Sequence, residues 1–140
     1  MDGKICAFCI RMVKTRKRRE PTKKKIVEVF LGILNAVKLY HWNTFSFAKH
    51  KATDELYSRL NEHIDKFVEV MMGKKGRIPE YSKKITATSS DFKRQVHNYR
   101  EFLIHLGDLL DDERDTDLLN IRDEILADVN QFLYLLTLTK

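Results

Sequence analysis

The sequence predicts an all-α fold, a four-helix bundle with one long crossover between helices 2 and 3. Three observations point there. Apolar residues recur at three-and-four spacing in four separate stretches, strand-like alternation is missing, and the turn-forming residues collect into one long link and two short ones. With 140 residues, 33% of them charged and 43% hydrophobic, and only two prolines and five glycines, the chain suits one helical domain better than a sandwich or barrel. A domain of this length buries roughly two-thirds of its unfolded surface.

Residues 1–21 read as a disordered basic arm, because the run Lys14-Thr15-Arg16-Lys17-Arg18-Arg19 is too charged to bury. After Pro21-Thr22, Val27, Phe30, Leu34, Val37 and His41 mark one face of a first helix over 22–43. A helix unbroken from 22 to 72 would be ~75 Å long, so a break is expected at Asn43 to Ser46, where Asn can follow a helix end and Thr or Ser can cap the next. The second helix buries Leu56, Leu60, Ile64, Phe67 and Met71, runs to Met72 and is expected to end at Gly73. A connector over 73–90 holds Gly76 and Pro79. The third helix, 91–110, shows Phe92, Val96, Tyr99, Leu103 and Leu106, and an acidic turn follows. Thr116 or Asp115 caps a fourth helix whose face is Leu118, Ile121, Ile125, Phe132 and Leu136.

Short links force antiparallel neighbours, whereas a long one lets the chain return along the bundle. The order short, long, short is that of a ferritin-like four-helix bundle over residues 22–140; an up-and-down bundle needs only about 2 to 8 residues at the second link. The charge of +6 is placed unevenly: residues 1–25 carry +8 and the remainder −2. A basic arm on a mildly acidic body suggests a polyanionic partner, with Lys14, Arg16, Lys17, Arg18, Arg19, Lys23, Lys24 and Lys25 as candidate DNA-phosphate contacts; a solubilising tail is the plainer alternative. The same run would also serve as a nuclear address. Cys6 and Cys9 are too few for a disulfide framework and form half a zinc site at best. The apolar run from Ile5 to Ile10 is far shorter than the ~20 residues a membrane span needs, so an intracellular location without a membrane partner is expected.

His50, Asp54, Asn61, Asp65 and Glu69 follow steps of four and seven along the second helix and share a narrow stripe. Such a stripe is what the solvated face of any amphipathic helix shows. It is also a set of imidazole and carboxylate ligands suited to iron or zinc. His50 and Asp65 lie ~22 Å apart on one helix and cannot share an ion within a subunit. Two second helices meeting antiparallel would bring His50 of one chain to Asp65 and Glu69 of the other, with His41 joining, so a metal site here predicts a homo-oligomer. His63, Glu101 and His105 read as structural.

His41-Trp42-Asn43, then His50, then Asp65-x-x-x-Glu69 resembles the ferroxidase signature of the Dps mini-ferritins, and Asn130 to Leu136 is similar to that family's closing helix. Tyr40 to Asn43 with His50 to Tyr57 resembles more closely still an uncharacterised family of large DNA viruses. The mini-ferritin resemblance implies a ferroxidase that binds iron, with zinc as the alternative metal: His41 and His50 would be ligands from one subunit and Asp65 and Glu69 ligands from its two-fold partner, in a homo-oligomer that is at least a dimer, with the family's dodecamer as the larger assembly. It also implies association with DNA through the arm. The chain departs from that signature in a shorter link between the two histidines and in Lys51, which stands where the family has Glu. The Glu-x-x-His pairs of larger di-iron bundles are missing, which argues against a centre inside a single subunit. The viral likeness places the chain in a host nucleus or cytoplasm, or in a virion, and supplies the alternative function: a non-enzymatic ferritin-like structural or DNA-packaging protein.

Overall fold

The computed structural model describes residues 23–78, 84–88 and 90–138. The predicted arm and its candidate contacts Lys14, Arg16, Lys17, Arg18 and Arg19, like Cys6 and Cys9, lie outside these residues. Four helices are formed: α1 (Lys23–Asn43), α2 (Phe47–Lys75), α3 (Phe92–Gly107) and α4 (Thr116–Thr137). No strand occurs among the described residues.

Each helix packs against two others, in the ring order α1, α2, α4, α3; among the described residues the backbones of α1 and α4, and of α2 and α3, do not approach each other closely. Contacts at the helix ends give the directions. Lys23 Nζ, at the start of α1, donates to the carbonyls of Lys75 (2.7 Å) and Gly76 (3.0 Å) at the end of α2. Lys74, also at the end of α2, pairs with Asp117 at the start of α4 at 2.6 Å. Tyr40 near the end of α1 stacks on Phe92, the first residue of α3, with centroids 4.2 Å apart. Thus α1 and α4 run one way and α2 and α3 the other. The link over 76–91 therefore has to span the length of the bundle, whereas the links 44–46 and 108–115 only turn corners.

The core is the sum of the four predicted faces. Phe30, Val37, Leu60, Phe67, Val96, Leu103, Leu106, Leu118, Ile125 and Val129 are at most 1% exposed. Phe30 sits at the centre, its ring edge-on to Phe67 at 5.2 Å and to Tyr99 at 6.2 Å. Aromatic pairs in this arrangement contribute about 0.5–1.5 kcal/mol each beyond the area they bury.

Two helix ends differ from expectation. α2 does not stop at Gly73 but continues to Lys75 and ends at Gly76, which takes the positive φ of 83° that glycine tolerates and donates its N–H to the Met72 carbonyl at 2.9 Å. The extra turn carries Lys74 and Lys75 to the acidic start of α4. α3 stops at Gly107 rather than at residue 110; Gly107 is buried against the Arg122 guanidinium, which occupies the space a Cβ would need. Asp115 does precede α4, but its carboxylate makes no capping bond to that helix. It accepts from the Asp111 N–H at 3.1 Å and pairs with Lys74 and Lys75, each at 3.3 Å.

Candidate metal centre at the α1–α2 corner

The corner between α1 and α2 is tight because local side chains satisfy its backbone. Ser46 Oγ accepts from the Lys49 N–H at 3.3 Å and Thr44 Oγ1 from the Ser46 N–H at 3.2 Å, while the Thr44 N–H reaches the Tyr40 carbonyl at 3.0 Å. This turn faces the last residues of α1 against the first turns of α2. His41 and His50 meet there, their rings stacked with centroids 3.8 Å apart at 22°.

Their hydrogen bonds are reciprocal. His41 Nδ1 donates to the His50 carbonyl at 3.0 Å, and His50 Nδ1 donates to the His41 carbonyl at 2.9 Å. A carbonyl oxygen only accepts, so both Nδ1 atoms carry the hydrogen, and in the neutral rings both Nε2 atoms hold the lone pair. Metal-binding histidines are commonly held in this way, one nitrogen donating to a carbonyl and the other free to ligate. Thr53, fully buried, donates to the Lys49 carbonyl at 2.8 Å and lies 3.3 Å from His41 Nδ1, fixing the ring from below. Asp54 Oδ1 stands 3.9 Å from His41 Nε2. Two acceptors then face each other across that gap.

The four predicted ligands are brought together in part. His41 is buried and His50 half-buried at the corner; Asp65 and Glu69 are exposed, four and five turns farther along α2. Asp65 lines a surface groove between α1 and α2 whose walls are Val27, Leu31, Leu34, Ile64 and Val68. Among the described residues no three His, Cys, Asp or Glu side chains of one chain converge as a metal site needs. The carboxylate nearest the histidines is Asp54, a member of the predicted stripe but not of the predicted ligand set; its place one turn after His50 was the available signal.

The other histidines have structural partners where partners are seen. His63 lies between Asp128 (Nδ1 to Oδ2, 2.9 Å) and Glu124 (Nε2 to Oε2, 3.5 Å), tying α2 to α4. Arg59 joins the same cluster, 3.4 Å from Asp128 and 2.9 Å from Gln131. Of the basic candidates that are described, Lys23 caps the end of α2, Lys25 lies 3.4 Å from Glu28, and Lys24 is exposed.

A family model described as a family of unknown function (DUF5856) matches residues 41–136. An uncharacterised 14.6 kDa protein of the mobD-ri intergenic region of Enterobacteria phage T4 is 40% identical over 75 residues, which cover 47% of this chain and 59% of the phage protein. The chain thus spans less than two-thirds of that relative's length. No solved structure matches. No helix among the described residues is long and apolar enough to cross a membrane.

Proposed function

The chain belongs to the DUF5856 family, whose match begins at His41 itself, and on the pairing of that histidine with His50 we propose an iron-binding oxidase completed between two subunits. His41 and His50 supply two Nε2 lone pairs, and Asp65 and Glu69 of the partner subunit supply the carboxylates. Fe(II) is the substrate. Two ferrous ions each lose one electron to hydrogen peroxide, whose O–O bond breaks to give two hydroxide ions. Asp54, beside His41, is placed to hold a cation at the half-site before the second subunit closes it.

The observation that carries the reading is the fixed donor role of both Nδ1 atoms. Two further features support it. The helix directions and the ring order α1, α2, α4, α3 are compatible with a ferritin-like bundle, and the groove around Asp65 offers apolar walls on the α1–α2 face that a two-fold partner would cover. The arm, with Lys14, Arg16, Lys17, Arg18 and Arg19, gives the oligomer a salt-sensitive hold on DNA, to which exposed Lys24 adds.

Mixing Fe(II) with peroxide tests this. The full chain gives a fast rise in ferric absorbance, and Asp65→Ala with Glu69→Ala reduces it to the rate of iron alone. Equal rates in both proteins would sink the oxidase. A second reading is favoured by the same hydrogen bonds: the two histidines clasp the α1–α2 corner through backbone carbonyls, so the motif serves as a structural clasp in a virion or DNA-packaging protein. Under that reading the variant keeps its shape and neither protein oxidises iron.

A further inference from the structure

The end of the bundle that holds the histidines also exposes large apolar side chains. Phe45 is fully exposed at the tip of the α1–α2 corner, with Phe47 76% and Trp42 68% exposed beside it; Tyr134 and Leu138 lie exposed at the same end of α4. Rings so placed cost solubility unless they have a use. Their electrostatic setting narrows that use. From Lys38 to Thr53 the chain carries three lysines and no Asp or Glu. Lys51 Nζ lies 5.7 Å from the centroid of Phe47, and Lys38 Nζ lies 6.0 Å from Trp42 and 4.4 Å from Tyr57. A second copy of this tip would meet it with like charge, whereas a polyanion that also offers flat faces complements both its lysines and its rings.

We propose that the 42–47 tip is a stacking platform for single-stranded nucleic acid. Unpaired bases stack on the open faces of Trp42, Phe45 and Phe47, and Lys49 and Lys51 contact the flanking phosphates. Aromatic rings interleaved with cations are how sequence-blind single-strand binding is built, and a duplex, whose bases are already stacked, presents no such faces. The platform adjoins the histidine pair but uses none of the proposed iron ligands His41, His50, Asp65 and Glu69, and it lies at the opposite end of the bundle from Lys23, where α1 begins.

Trp42 is the only tryptophan of the chain, so its fluorescence reports the contact directly. Titrating the full chain with a thymidine oligonucleotide quenches that emission. Phe45→Ala with Phe47→Ala weakens oligonucleotide binding about tenfold or more, at the level of one to two lost stacks, while binding to a duplex of equal length, held by the arm, stays unchanged. Both side chains are exposed, so an unaltered circular-dichroism spectrum and melting curve establish that the variant is folded. Unchanged single-strand affinity in the variant, or equal loss on single strand and duplex, would overturn the proposal. Ring-dependent binding to phosphatidylserine vesicles with no ring-dependent oligonucleotide binding would overturn it in favour of a membrane surface. A change in oligomeric mass with unchanged oligonucleotide affinity would assign the tip to self-association instead.

Discussion

At the end of the bundle where α1 begins, Lys23, Lys74 and Lys75 all have partners: the α2 carbonyls for the first, Asp115 and Asp117 for the others. At the end where α1 stops, both His41 and His50 keep one nitrogen without a hydrogen-bonded partner among the described residues, and Trp42, Phe45 and Phe47 stand in solvent. Both ends carry lysines and both close a helix–helix corner. One end satisfies its polar groups internally and so contributes stability; the other holds its groups in place by backbone contacts and leaves them able to bind.

This contrast can be broken by matched substitutions. His41→Ala removes the donor to the His50 carbonyl and the stacked ring, lowering stability by about 2–3 kcal/mol and abolishing iron oxidation. Asp115→Ala strips Lys74, Lys75 and the Asp111 N–H of an acceptor and lowers stability by about 2 kcal/mol, but leaves the oxidation rate unchanged. Urea unfolding and the peroxide assay on both variants separate the two ends. If Asp115→Ala also slowed oxidation, the ends would not be independent.

Acid sharpens the contrast further. Burial pushes the Asp115 carboxyl up, but the Asp111 N–H and the Lys74 and Lys75 ammonium groups outweigh it and hold the carboxyl below its ordinary value. The Lys74 hydrogen bond lowers Asp117 as well. Folded values below unfolded ones mean that this stabilisation is complete above the unfolded carboxylate pKa, near 3.8, and is lost as pH falls through the lower folded values. The Lys74 ammonium, raised chiefly by its bond to Asp117, adds stability that is complete below about 10.5 and lost as pH rises through its folded value. Asp117→Asn narrows the first loss in an acid-unfolding series. The smallest effect is at the helix end: Gly76→Ala forces a side chain into a positive φ and costs about 1 kcal/mol by thermal unfolding, without touching oxidation.

Most of this architecture was legible in the sequence. The buried faces Leu56, Leu60, Ile64, Phe67 and Met71 on α2, and Phe92, Val96, Tyr99, Leu103 and Leu106 on α3, follow the helical period because each helix turns a single apolar stripe to the common core. The helix ends were less legible, because long-range partners set them. Gly73 has open space around it and ordinary helical backbone, while Gly76 three residues later makes the turn, and Lys74 and Lys75 extend α2 toward Asp115 and Asp117, which no local pattern reveals. In the site, the motif pointed to His41 and His50, and the short link between them draws the rings into contact rather than apart. Asp54 was missed as a neighbour of His41 because its approach depends on how α2 packs against the end of α1. The exposed tip could not be read from periodicity, since Trp42, Phe45 and Phe47 sit where one helical period stops and the next begins.

The proposed iron site is a half-site that a second subunit completes, and subunit mixing tests that most directly. One variant carries His41→Ala and His50→Ala, the other Asp65→Ala and Glu69→Ala, and each alone is inactive. Unfolded together and refolded in equal amounts, they form mixed dimers in which one of the two sites draws intact histidines from one chain and intact carboxylates from the other. Random pairing then restores about a quarter of the wild-type rate of Fe(II) oxidation. A mixture as inactive as its components, with mixed dimers demonstrated by mass, would contradict a site shared between subunits.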